Sequence, residues 1–129
     1  MINANVKYQA EVQSVTVSTA NPNRNGTGTI VPIITGGGPQ DLGTIVKRII
    51  IKSLVNTSSG MIRFYLNWGV TPDLFLEIPV TAVTKSSIDN SYSYTIDLNF
   101  LLPLDLSLEV STENAQSFIV TVECLGIYF

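Results

Sequence analysis

The chain has 129 residues, a length that suits one domain. Val (13), Ile (14) and Thr (13) far outnumber Ala (5), and only 13% of residues are charged, against about 25% in ordinary globular proteins. With a net charge of −3 and no histidine, these figures exclude a disordered chain, a coiled coil and a basic nucleic-acid module, and they remove the commonest general base and metal ligand.

In chain order, the hydrophobic pattern predicts strands throughout. Val6–Ser18 alternates through Val6, Tyr8, Ala10 and Val12, then shifts phase at Ser14-Val15. Residues 1–17 are therefore open to two readings, an N-terminal arm or a first strand. Thr29–Thr35 contains Pro32, which cannot donate to a ladder, and reads as an edge or bulged strand. Ile45–Leu54, with Ile49-Ile50-Ile51, is apolar enough for a central strand covered on both faces.

Met61–Trp68 places Ile62, Phe64, Leu66 and Trp68 on one side and Arg63, Tyr65 and Asn67 on the other. Leu74, Leu76, Ile78 and Val80 form the inner face of the next strand, and Arg63 can pair across to Glu77. Tyr92–Phe100 and Leu104–Val110 alternate regularly, separated by a turn at Leu101-Leu102-Pro103. In the second of these, Asp105, Ser107 and Glu109 are expected to face water. Phe118, Val120, Val122 and Cys124 share a face of a final strand running towards Tyr128.

About eight strands with Gly-, Pro- and Asn-rich separators, and no segment of helical period, predict an all-β fold. The expected architecture is a single antiparallel β-sandwich spanning 1–129, with a jelly roll as the leading topology because eight strands in two sheets is its count.

The residues that could carry chemistry have plainer readings. Gly36-Gly37-Gly38-Pro39-Gln40-Asp41-Leu42-Gly43 continues with Thr44 where a phosphate-binding loop needs Lys, and a strand-like run follows instead of a helix. Glu77, Asp97, Asp105 and Glu109 are single acids at outward positions rather than a paired catalytic set. Asp89-Asn90 is too little for a calcium loop. Cys124 has no positive neighbour to activate its thiol and reads as a small core residue. No enzyme activity, cofactor or metal is expected.

No stretch reaches about 20 apolar residues and Met1–Lys7 lacks the pattern of a signal peptide, so no membrane is expected as partner; seven scattered basic residues in a chain of net charge −3 make a nucleic acid equally unexpected. Two aromatics are candidate interaction residues: Tyr65, on the outward side of its strand, and Trp68, beside the Gly69–Asp73 loop. Exposed, they could stack on sugars; Trp68 shares a face with Phe64 and Leu66, so core packing is its default. A surface rich in Ser (12), Thr (13) and Asn (10) but poor in charge suits assembly, because interface cores are depleted in Lys, Glu and Asp.

Ser18-Thr19-Ala20-Asn21-Pro22-Asn23, followed by Gly26-Thr27-Gly28-Thr29, resembles the opening of a group of small tailed-bacteriophage virion proteins, the head auxiliary or decoration type seen in crAss-like and related phages. The order continues with Gly43 before Val46–Lys52, the run Thr57-Ser58-Ser59-Gly60-Met61-Ile62-Arg63-Phe64, then Glu77-Ile78-Pro79-Val80, Leu108–Thr112 and Phe118-Ile119-Val120. Arg24-Asn25 stands where that group carries an acidic residue before the glycine, and the Gly36-Gly37-Gly38 loop is richer in glycine. The resemblance implies a non-enzymatic β-sandwich of the virion, assembled in the bacterial host cytoplasm, with the major capsid protein or other virion proteins and its own copies as partners. It brings no catalytic residues. The alternative is a glycan-binding module, free or on a fibre, in which Trp68 would be the contact.

Overall fold

The computed structural model describes residues 6–36 and 41–128. Eight strands follow in order: β1 (Lys7–Val17), β2 (Val31–Thr35), β3 (Asp41–Ser53), β4 (Gly60–Asn67), β5 (Asp73–Val80), β6 (Ser93–Leu102), β7 (Ser107–Thr112) and β8 (Phe118–Tyr128). They form two antiparallel sheets, ordered β1-β8-β3-β6 and β2-β7-β4-β5. This interleaved order, in which every sequential connection but one crosses between the sheets, is the double Greek key of a jelly roll. The exception is the tight β4–β5 hairpin. The expected all-β sandwich is therefore what the chain forms.

The period-two pattern explains the core. Val120, Val122 and Cys124 of β8, Val46, Ile49 and Ile51 of β3, Ile62 and Phe64 of β4, and Leu108 and Val110 of β7 are all buried between the sheets. Phe118 meets Tyr92 edge-on at a centroid distance of 6.3 Å, and the Tyr92 hydroxyl donates to the Pro79 carbonyl at 2.8 Å. Burying a side chain such as Phe118 stabilises by about 1.5–3 kcal/mol relative to exposure. Cys124 lies within this core, and burial pushes its thiol up to about 11, with the Glu11 charge adding to the shift. A disulfide-exchange reagent at pH 8 should leave Cys124 unlabelled in the folded protein and label it fully in denaturant. Equal rates in both states would refute the burial.

Three irregularities sharpen the sequence reading. β2 is an edge strand whose register shifts between Pro32 and Ile34, as the proline required. β3 shifts between Val46 and Arg48, and this bulge lets adjacent Lys47 and Arg48 both face out while Val46 and Ile49 both face in. Leu104–Leu106 belongs to a turn closed by the Leu106 N–H donating to the Pro103 carbonyl at 3.1 Å, so β7 starts only at Ser107.

Residues 7–17 are a strand and not an arm, because β1 pairs with β8 at all eleven positions without a break in register. The phase shift at Ser14-Val15 has another cause. Val15 and Val17 face the core, whereas Tyr8, Ala10 and Val12 lie on the outer face of the same strand. The portion of the arm reading that falls on residues 1–5 lies outside the described residues, as does residues 37–40 of the glycine-rich loop.

Candidate interaction surface

The two outer faces of the sandwich differ, and the β1–β2 connection is the reason. Residues 18–30 do not simply cross the end of the barrel; they fold back over the outer face of the β2-β7-β4-β5 sheet. The base of this loop is tied twice to β7, by a parallel bridge of Ala20 to Thr112 and by the pairing of Val31 with Val110. Ends held close and a chain packed on its own side chains make it an Ω-loop.

Asn21 organises the loop from within. Its N–H donates to the Thr112 carbonyl at 2.8 Å, its Nδ2 to the carbonyls of Thr27 (3.0 Å) and Thr29 (2.9 Å), and its Oδ1 accepts the Asn23 N–H at 3.0 Å. Gly28 must approach this amide so closely, with φ at 83°, that a Cβ there would lie 2.6 Å from Asn21 Oδ1. Gly26, with φ at 82°, passes equally close to the β4–β5 turn: a Cβ would lie 2.3 Å from the Pro72 carbonyl oxygen. The Asn-Pro-Asn and Gly-Thr-Gly elements of the sequence thus build a strap that reaches from one end of the sheet to the other.

Beneath the strap lies Tyr65. It points outward from its strand as expected, yet it is fully buried, and its hydroxyl donates to the Asn23 carbonyl at 2.9 Å. This corrects its assignment as an exposed stacking residue: the strap occupies the space a ligand would need. Trp68 is corrected in the opposite sense. It does not join the core but is 57% exposed at the end of β4, beside exposed Val70. The structure therefore does not bring Tyr65 and Trp68 together as one aromatic platform.

The strap is clamped by charge. Arg24 on the strap pairs with Glu77 of β5, which also accepts from Arg63 Nε at 3.0 Å, and Arg63 Nη2 reaches Glu113 at 3.0 Å. The predicted Arg63–Glu77 cross-strand pair is thus present, in register, and extended by two partners. An open groove of about 580 Å³ runs over these four side chains, but its two cations and two anions neutralise one another. Glu109, expected in water, is buried and held by Asn67 and Ser107.

The hydrogen bond from Arg24, then that from Arg63, holds the Glu77 carboxyl below the usual carboxylate range. A folded-state pKa that is depressed contributes stability above the unfolded value and loses it as pH falls through the folded value. The clamp should therefore be intact at neutral pH and release only below about 4.3, the ordinary glutamate value. NMR titration of the Glu77 carboxyl checks this: a midpoint at or above that value, or one that Arg24→Gln fails to raise, counts against the clamp.

Among the described residues, nothing comparable covers the outer face of the β1-β8-β3-β6 sheet. Across it, Ala10, Leu125, Ile45 and Leu101 lie directly beside one another on four successive strands. Tyr8 and Ile127 pair in the adjacent row, and Val12 lies in the row on the other side. Tyr8 (62% exposed), Val12 (65%) and Leu101 (53%) are open to solvent, while Ile45, Leu125 and Ile127 are half-buried. The row of Val12 is otherwise ionic: Val12 lies opposite Glu123, and Arg48 is bonded to Asp97 at 2.8 Å and near Glu123 at 3.6 Å. Beyond it the face is neutral, with Ser14, Thr121, Ile50 and Thr95 in register. The apolar run of β3 was expected to be covered on both faces; within one chain it is covered on one, since Ile45 and Ile50 point away from the core.

This geometry defines a jelly-roll β-sandwich with one strapped face and one bare, partly apolar face. Among the described residues no three His, Cys, Asp or Glu side chains are grouped to hold a metal ion, and no helix is long and apolar enough to cross a membrane. Among solved structures, the chain is similar to one of infectious bursal disease virus, Gx strain, at 12% identity and a TM-score of 0.42, covering 97% of this chain and 32% of that one. It is also similar to one of the Gt strain of that virus, at 11% identity and a TM-score of 0.37, covering 96% and 36%. The chain thus spans about a third of the length of those chains. No family model and no curated protein matches the sequence.

Proposed function

We propose that this chain is a non-enzymatic structural component of a tailed-phage virion, a head auxiliary or decoration protein that attaches to the capsid and to its own copies. The observation that carries this reading is the in-register apolar row Ala10–Leu125–Ile45–Leu101 on the outer face that no described residue covers. A monomer has no use for such a row, whereas a contiguous apolar patch rimmed by polar residues is the ordinary signature of a protein–protein contact. The ordered resemblance to small virion proteins supports the same reading, and the strap motif that opens it has a structural role in holding the other face closed. Many copies on one shell would add avidity to weak single contacts. The partners are the major capsid protein or its neighbours, and the site of action is the virion, assembled in the host cytoplasm.

The exposure of Trp68 keeps a second reading, glycan binding by the β4–β5 turn. One experiment separates them. The purified protein is sedimented with emptied heads of the phage that encodes it and, in parallel, applied to a glycan array, each with Trp68→Ala alongside. Attachment to heads that survives Trp68→Ala supports the assembly reading. A glycan signal abolished by Trp68→Ala, with no head attachment by either protein, rejects it.

A further inference from the structure

We propose that β1 is the seam of a two-fold dimer, in which its outer edge, unpaired among the described residues, pairs antiparallel with the same edge of a second copy to make one continuous eight-stranded sheet. The proposal deepens the assembly reading, on which it rests only in so far as self-association is part of it, by naming the partner and the register.

A sandwich of this topology has four edge strands, β1, β6, β2 and β5, and an unprotected edge is a template for another strand. Three are blunted. β2 carries Pro32 and a register shift, and β5 carries Pro79 and a shift opposite Phe64/Tyr65. β6 carries Asp97 as its only charge, so pairing with the same strand of a second copy can set no opposite charge against it. β1 has no proline and no bulge, pairs regularly with β8 on one side, and is exposed from Lys7 to Ala10 on its side chains.

Its sequence is also complementary to itself. With the two-fold axis at Gln9, antiparallel pairing sets Lys7 of one protomer opposite Glu11 of its partner, and the reverse, on one face of the ribbon. On the other face Tyr8 falls opposite Ala10, small enough to lie under the ring, and one step further Val6 falls opposite Val12. Each residue that needs a particular partner finds it, twice, as an isologous contact requires. Opposite charges and aromatic or apolar pairs directly across a ladder are the interactions that stabilise strand pairing. The dimer would also join the two bare faces, because Tyr8 and Ala10 of each copy lie at the end of the apolar rows that run from Leu101 and Ile127.

The test uses the full chain. Sedimentation velocity across a concentration series should show a monomer–dimer equilibrium. In Gln9→Cys the new thiols face each other, and directly opposed residues in an antiparallel pair lie about 4.5–5.5 Å apart at Cα, within disulfide reach. Oxidation should therefore give a covalent dimer. In Gln13→Cys the two thiols would be eight residue steps apart, about 27 Å, and the same treatment should leave monomers. Lys7→Glu sets like charges opposite each other twice and should weaken the dimer about tenfold, and adding Glu11→Lys should restore it. The Gln9→Cys result stands independently should the double variant disturb the bond that Tyr128 donates to Glu11. A protein monomeric at every concentration, or one in which Gln13→Cys cross-links as readily as Gln9→Cys, overturns the seam. Because head attachment is measured separately, a monomer that still binds heads rejects the seam and not the assembly reading.

Discussion

Replacing Leu101 with Lys should reduce attachment to emptied heads by at least thirtyfold while leaving the fold intact. Leu101 ends the apolar row on the edge strand β6 and is half exposed, so a longer side chain there can extend into solvent. Surface changes of this kind alter stability by only about 0.5 kcal/mol in either direction. In an assembled interface the same position would bury an unpaired ammonium against Ile45 and Leu125. Burying an unpaired charge in an apolar contact costs about 2 kcal/mol or more, which is the thirtyfold loss expected here. Ile88→Lys provides the control, since Ile88 is fully open in the β5–β6 connection, away from the row. Co-sedimentation measures attachment and thermal unfolding measures the fold. If Leu101→Lys and Ile88→Lys bind heads equally well, the bare sheet face is not the contact.

The largest effect on stability is expected at Asn21. Asn21→Ala removes both donors to the Thr27 and Thr29 carbonyls and the acceptor for the Asn23 N–H, at a position 2% exposed. Groups left without partners in a covered site cost about 1–3 kcal/mol each, but the loosened strap lets water reach some of them, so a total of about 2–4 kcal/mol is expected. Asn21→Asp should be no better. It retains the acceptor for Asn23 but aims carboxylate oxygens at two carbonyls. Chemical denaturation gives the loss, and hydrogen exchange places it: amides of residues 22–30 should lose protection before those of β3 and β8. A change below about 0.5 kcal/mol would mean that the strap is held by something other than its asparagine.

The strap also shows how far single residues could be read. The Asn-Pro-Asn and Gly-Thr-Gly segment was recognisable as a shaped loop, because turn chemistry is local: amide side chains bond to their own backbone, and glycine supplies positive φ. Where the loop went was not recognisable. Tyr65 has the alternation of an exposed residue, and alternation reports only which side of a strand a side chain leaves from. It is buried because thirteen residues distant in sequence fold over it, and nothing in Met61–Trp68 records that. Glu109 also leaves the outward side of its strand and is nevertheless buried, held by Asn67 and Ser107. Trp68 errs the other way: it keeps the phase of Phe64 and Leu66, but the ladder with β7 ends at Asn67 and the facing sheet does not reach it.

The low charge and the surplus of β-branched residues determined the class of fold, and the alternation within each segment determined which side chains enter the core. Both are short-range consequences of a two-residue repeat and hold whatever the strands pair with. Strand order, the bulge that turns Lys47 and Arg48 outward together, and the alignment of Ala10, Leu125, Ile45 and Leu101 were decided only in three dimensions. Those four residues lie on strands far apart in the chain, and register between strands depends on the whole sandwich closing around its core. The continuous apolar character of β3 predicted a strand covered twice. Among the described residues the tertiary structure covers it once, because Ile45 and Ile50 leave the strand on the side away from the facing sheet.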